Sequence, residues 1–234
     1  MYFDWTYVIF VLPCAIFAMW ASARVNSTYA KYSKVYSKKN ISAQDACRQI
    51  LDANGLYDIR IGRVAGNLTD HYSPKDNVIN LSDSVYGSTS VAAIGVACHE
   101  AGHAIQHAVG YQPIKIRNAI VPITNIGSSL AIPLILLGFL FPANGVPVLS
   151  YVGLGCFFFA VIFQLVTLPT EFDASNRALK ALSSGGYLTS EELNGSKQVL
   201  MAAALTYVAA LATALAQFLR LLVIVNSRNN KRWS

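Results

Sequence analysis

Hydrophobic and polar positions fall into long blocks along this chain. Four apolar runs lie at about 7–23, 126–141, 146–168 and 201–225. A helix of roughly 20 apolar residues spans a bilayer, so each run is a predicted membrane span. The second is short and holds Pro133, which leaves its limits open. The first run ends on Ala21-Ser22-Ala23, which resembles a signal-peptide cleavage site. The residues ahead of it include Asp4 and no Lys or Arg, however, whereas a secretory signal opens on a basic segment. An anchor is the better reading.

Between the first two spans the pattern changes period. Ser42 and Asp45 form a capping-box variant, and Ala46, Ile50 and Leu51 then recur at helical spacing until Asn54-Gly55. This predicts a short amphipathic helix over 43–53. Ile59, Ile61 and Val64 interleave with Arg60 and Arg63, a strand pattern. A second strand is predicted over 77–81, reached through a turn at 73–76. Gly87-Ser88-Thr89-Ser90 then caps a helix running to about Val109, with Gly110 as its stop. The expected organisation is a first span over 1–23, a small α+β domain over 24–118, spans two and three over 119–168, a second polar segment over 169–200, and a last span with a basic tail over 201–234.

Composition supports a membrane protein. Of the 234 residues 54% are hydrophobic and 13% charged, about half the charged share of a soluble domain. A disordered chain, a fibre and a coiled coil are excluded. The net charge of +6 comes from dispersed basic residues, which points to membrane topology rather than to nucleic acid. Arg24, Lys31, Lys34, Lys38 and Lys39 follow the first span, Lys115 and Arg117 precede the second, and Arg177, Lys180 and Lys197 lie between the third and fourth. The turn around 142–145 carries no charge. By the positive-inside rule both polar segments face the cytoplasm. Arg228, Lys231 and Arg232 run against this, because four spans place the tail outside. The four cysteines share no CxxC spacing, so neither a disulfide framework nor a cysteine zinc site is expected.

The chemistry sits on the long predicted helix. His99-Glu100-Ala101-Gly102-His103 is an HExxH motif. Residues four apart share a helix face, so two imidazoles can converge on one zinc ion, and Glu100 lies within reach of a metal-bound water as general base. Two surface histidines with a solvated glutamate is the bland alternative. Zinc needs a third protein ligand. His107 lies eight residues from His99, about 12 Å along the axis, too far for three imidazoles on one straight helix to close a tetrahedron; packing or an outer hydrogen bond suits it better. Glu171 is the better candidate. Pro169 is expected to interrupt the third membrane helix and Thr170 to cap a new one over 171–182. Glu171 would sit in its first turn, where a carboxylate is favoured by the helix dipole even without a metal.

The motifs HEAGH (99–103) and EFDAS (171–175), the strings LTDHY (68–72) and LVTLP (165–169), and the four spans together resemble the YugP-like family of neutral zinc metallopeptidases of bacterial membranes. That resemblance covers nearly the whole chain. It implies an α+β, zincin-like catalytic domain within a mostly helical membrane protein, and a zinc endopeptidase of the gluzincin type, with His99, His103 and Glu171 as metal ligands and Glu100 as catalytic base. Related membrane gluzincins carry an Asp four residues after the ligand Glu; here that position is Ser175, so Asp173 is the substitute expected to orient a ligand histidine. His71 is a candidate donor to the oxyanion, with Tyr72 and Arg177 as others; a solvated turn histidine is the bland alternative. A peptide or protein substrate is expected to bind as an added strand along the 77–81 edge. The expected partners are that substrate and the lipid bilayer. An intramembrane protease with 88–110 as a buried span, and a non-catalytic zinc-binding adaptor, are the competing readings.

Overall fold

A computed structural model describes residues 5–140 and 147–230. The uncharged turn expected at 142–145 and the basic residues Lys231 and Arg232 lie outside the described residues. The element order is α1 (Leu12–Tyr32, entered through one π-helical stretch at Tyr7–Val11), α2 (Ala43–Ala53), β1 (Arg60–Val64), β2 (His71–Ser73), β3 (Val78–Ser82), α3 (Val91–Ala108), α4 (Gln112–Leu140), α5 (Pro147–Ser184) and α6 (Ser190–Asn230).

Among the described residues, four helices are long and apolar enough to cross a membrane: Tyr7–Tyr32, Gln112–Leu140, Val148–Ser184 and Ser190–Ser227. At most 22% of the apolar window of each is buried. Exposed Ile126, Leu136, Leu140, Phe158 and Leu165 show why: such a surface is unfavourable in water and matched to lipid. Helix α3 is not one of the four.

The chain divides into two compact units. One is purely helical, from the segments 5–20, 115–140, 147–168 and 206–230. Inside it the Arg220 guanidinium stands 5.4 Å from the centre of the Tyr7 ring, a cation–π contact that gives a charge among apolar helices a partner. The other unit, Ala21–Ile114 with Pro169–Leu205, carries all three strands and α3.

Local chemistry explains the elements of this second unit. Ser42 caps α2 by accepting from the Asp45 amide at 3.2 Å. Ser90 caps α3 by accepting from the Ala93 amide at 3.2 Å, and Gly110 ends it at φ +66°, the left-handed conformation that glycine takes freely. Ile50 and Leu51 of α2 pack with Ile79 and Leu81 of β3, Ile94 and Cys98 of α3, and Leu182 of α5 into one core.

Two sequence expectations are corrected. β3 is the central strand of a sheet ordered β1-β3-β2, parallel to β1 and antiparallel to β2. The segment 77–81 therefore has no open edge for a substrate strand; the unpaired edges belong to β1 and β2. The second correction concerns Pro169. It lies inside α5, which runs unbroken for 38 residues. Proline removes one amide donor and crowds the carbonyl four residues earlier, but packing on both sides of it holds the helix together, so Thr170 is not a cap and is fully buried.

Candidate metal centre

His99 and His103 lie one turn apart on α3, and Glu171 comes from α5. Their ligand atoms all lie within 4.8 Å of one another. Glu171 Oε2 stands 3.3 Å from His99 Nε2 and 3.4 Å from His103 Nε2. A tetrahedral ion with bonds of about 2.0–2.1 Å needs donors roughly 3.3–3.4 Å apart, so these two edges match zinc. Glu171 is 3% exposed, and a bare carboxylate at that depth is costly without a cationic partner.

The two helices reach each other because of Gly102. A Cβ at that position would stand 2.4 Å from the Ala174 carbonyl oxygen and 3.1 Å from the Ala174 Cα. Only a residue without a side chain lets the backbones of α3 and α5 approach this closely. The crossing point falls between His99 and His103 on one helix and between Glu171 and Ser175 on the other, so one close contact sets all the ligands.

His103 is oriented by a chain of donors. Its Nδ1 lies 3.0 Å from Gln106 Oε1, and Gln106 Nε2 donates to Thr170 O at 2.7 Å and to Asp173 Oδ2 at 2.8 Å. Thr170 O only accepts, which fixes the amide orientation of Gln106. Both amide protons are then used, so Oε1 accepts and His103 Nδ1 carries the hydrogen. The lone pair is left on Nε2, facing Glu171, the tautomer a metal ligand needs. Asp173 in turn accepts from Arg177 Nε at 2.6 Å, and the Arg177 guanidinium stands 5.7 Å from the centre of the Tyr111 ring. Asp173, expected to orient a histidine directly, does so through Gln106. Burial opposes a charged His103, but hydrogen bonding to Glu171 and the charges of Glu100 and Glu171 outweigh it and raise its pKa above the ordinary imidazole value.

His99 Nδ1 lies 3.0 Å from Ser175 Oγ. Position 175, four residues after Glu171, thus contacts His99 through a hydroxyl.

Glu100 is held by β2. Its Oε2 accepts from the Tyr72 backbone amide at 2.9 Å, so β2 holds the side chain at 8% exposure. His71, the neighbour of Tyr72, is exposed, with Nδ1 2.9 Å from Thr69 O and Nε2 3.1 Å from Asn80 Nδ2. Thr69 O only accepts, so Nδ1 donates to it, and Nε2 faces the Asn80 amide nitrogen. His107 is outside the ligand group among the described residues. Its ring meets Tyr72 edge-on at 5.9 Å, and burial and the His103 charge lower its pKa. Tyr72, Ala104, His107, Leu56 and Ile59 share the lining of a cavity of about 330 Å³.

Sequence reasoning missed Gln106 and β2. Gln106 had one usable signal: it is a polar residue three positions after His103, on the same face of an otherwise apolar helix. β2, three residues long, had none.

Residues 7–226 match the model of the family described as "Putative neutral zinc metallopeptidase". The chain belongs to this family. A relative within it is the "Putative membrane protease YugP" of Bacillus subtilis (strain 168), 44% identical over 215 residues, covering 91% of this chain and 93% of that protein. No solved structure matches the chain. Family membership and the four apolar helices make this a membrane protein of a zinc-peptidase family, and His99, His103 and Glu171 are the residues that could hold the metal.

Proposed function

We propose that this chain is a membrane-anchored, gluzincin-type zinc endopeptidase whose zincin-like catalytic domain faces the cytoplasm. The observation that carries the reading is the convergence of His99, His103 and Glu171 with a glutamate, Glu100, fixed one residue from the first ligand. Three protein donors suit a catalytic site, which keeps a position open, better than a structural site, which takes four. A bound zinc ion would supply Lewis acidity and a water acidic enough to lose a proton near neutral pH.

The residues of the chain do the rest. Glu100 takes the proton and returns it to the leaving amine as the peptide C–N bond breaks. The Tyr72 amide keeps the Glu100 carboxylate aimed before and after each transfer. Gln106 and Ser175 hold the imidazoles. The neighbouring cavity at Tyr72 and His107 is the place for a substrate side chain. For His71 to serve the oxyanion its Nδ1–H must leave Thr69 O, the acceptor on which it is spent. The basic residues around the first loop support the cytoplasmic side. Substitution of Glu100 by Gln tests the reading. Expected are unchanged zinc content and a fall in peptide cleavage of roughly 10²-fold or more; undiminished cleavage overturns the mechanism.

A further inference from the structure

A crevice of about 260 Å³ lies between α1 and α6, remote in sequence from every residue of the metal centre. We propose that it binds one anionic phospholipid, headgroup at its polar end and acyl chain along its apolar end.

The polar end is cationic. Lys197 of α6 lines it with the amide side chains of Asn194 and Gln198, Arg24 of α1 lines the crevice from about the level of Met201, and no acidic residue is among the lining. All four are exposed. The other end is apolar: Met201, Ala202 and Leu205. On α6 these residues recur at three and four positions, so they form one stripe that passes from polar to apolar along the helix. The two helices run antiparallel here. A Cβ at Gly195 of α6 would stand 2.9 Å from the Tyr32 ring of α1, and from that contact α6 goes forward to Met201 while α1 goes back to Arg24. Along both helices the same direction leads from polar to apolar. The first apolar run of the chain ends one residue before Arg24, and the last begins at Met201.

An isolated phosphate would use only the two cations. A lipid uses both halves: the phosphate neutralises two positive charges with amide donors beside it, and an acyl chain covers Met201, which is 47% exposed. Basic crevices where helices leave the apolar zone on the cytoplasmic side are suited to anionic headgroups. A zwitterionic lipid brings a choline that the cations repel.

The test uses the full chain purified in detergent, titrated with phosphatidylglycerol or phosphatidylcholine, with bound lipids counted by native mass spectrometry. The Arg24→Gln/Lys197→Gln double variant is expected to hold phosphatidylglycerol roughly 25-fold more weakly, at about fivefold per cation, with phosphatidylcholine unaffected. Lys197→Gln alone, an exposed change that leaves packing intact, serves if the double variant misfolds. Met201→Gln is expected to weaken the intact lipid while leaving displacement by inorganic phosphate as poor as in the parent. Equal retention of phosphatidylglycerol by the parent and charge variants overturns the proposal. So does displacement of the lipid by inorganic phosphate at comparable concentration, which would mark a phosphate site.

Discussion

The two ligand histidines are one helical turn apart and yet are supported in different ways. His103 rests on Gln106, fully buried, whose every donor and acceptor is committed: two protons to Thr170 O and Asp173, one oxygen to the imidazole. His99 rests on the Ser175 hydroxyl, which can donate or accept. The first arrangement permits one tautomer. The second permits two, and a ligand-competent His99 requires the hydroxyl to accept. One arm of the candidate centre is thus set without a metal, and the other would be set by one. The acid of this region, Asp173, is connected to His103 through Gln106 and not to His99.

The largest expected effect comes from breaking both arms together. Gly102→Ala places a methyl group 2.4 Å from the Ala174 carbonyl oxygen, and α3 and α5 must separate. Overpacking of this kind costs about 1–3 kcal/mol, and the better helix propensity of alanine returns about 1. Catalytic and metal constellations tolerate displacements of only about 0.5 Å, so the metal suffers more than the fold. Zinc affinity, measured by competition with a chelator, is expected to fall by at least roughly tenfold, while the melting temperature drops by about 2–4 °C per kcal/mol. Unchanged affinity would show that the crossing does not set the ligands.

That crossing marks the limit of what the amino-acid sequence reveals. That His99, His103 and Glu171 could share a metal was legible because a metal site asks for residue types and spacings that survive as a pattern: one helix turn, then a carboxylate. The helices 43–53 and 91–108 were legible because Ser42 and Ser90 announce their starts and Gly110 the end of the second. Nothing local records that Gly102 faces Ala174, a contact between residues 72 positions apart. The continuity of α5 through Pro169 was hidden for the same reason. Proline is a local signal against a helix, and the tertiary packing that overrides it is not local. β2 was hidden by its length: three residues carry no periodicity, and it exists because β3 and the carboxylate of Glu100 engage its backbone.

Separating the arms begins with Gln106. Gln106→Leu removes three hydrogen bonds at once, those with the His103 Nδ1, the Thr170 carbonyl and the Asp173 carboxylate. Loss of such a support lowers metal affinity by roughly 10–100-fold. Gln106→Glu sharpens the point. Its carboxylate accepts from His103 Nδ1 as the amide did, but it has no proton for Thr170 O and meets Asp173 as a like charge. If the whole chain to Asp173 matters, the Glu variant binds zinc no better than the Leu variant; near-parental affinity would reduce the support to its contact with the imidazole.

Ser175→Ala is the mildest break and the one that decides the comparison. It removes a single hydroxyl of low exposure from His99 Nδ1 and creates almost no cavity. A neutral hydrogen bond is worth about 0.5–1.5 kcal/mol net, which sets an expected loss of zinc affinity of about two- to tenfold, below that of Gln106→Leu. His99 has a side-chain exposure of 15% against 11% for His103, so water can take part of the place of the lost hydroxyl at Nδ1, whereas nothing can replace a fully buried amide. The ordering of the two losses by chelator competition, measured at one pH and one ionic strength, is therefore the quantity to watch. A Ser175→Ala loss equal to or larger than that of Gln106→Leu would mean that His99, not His103, is the arm fixed in advance, and that the hydroxyl holds one orientation as firmly as a carboxylate would.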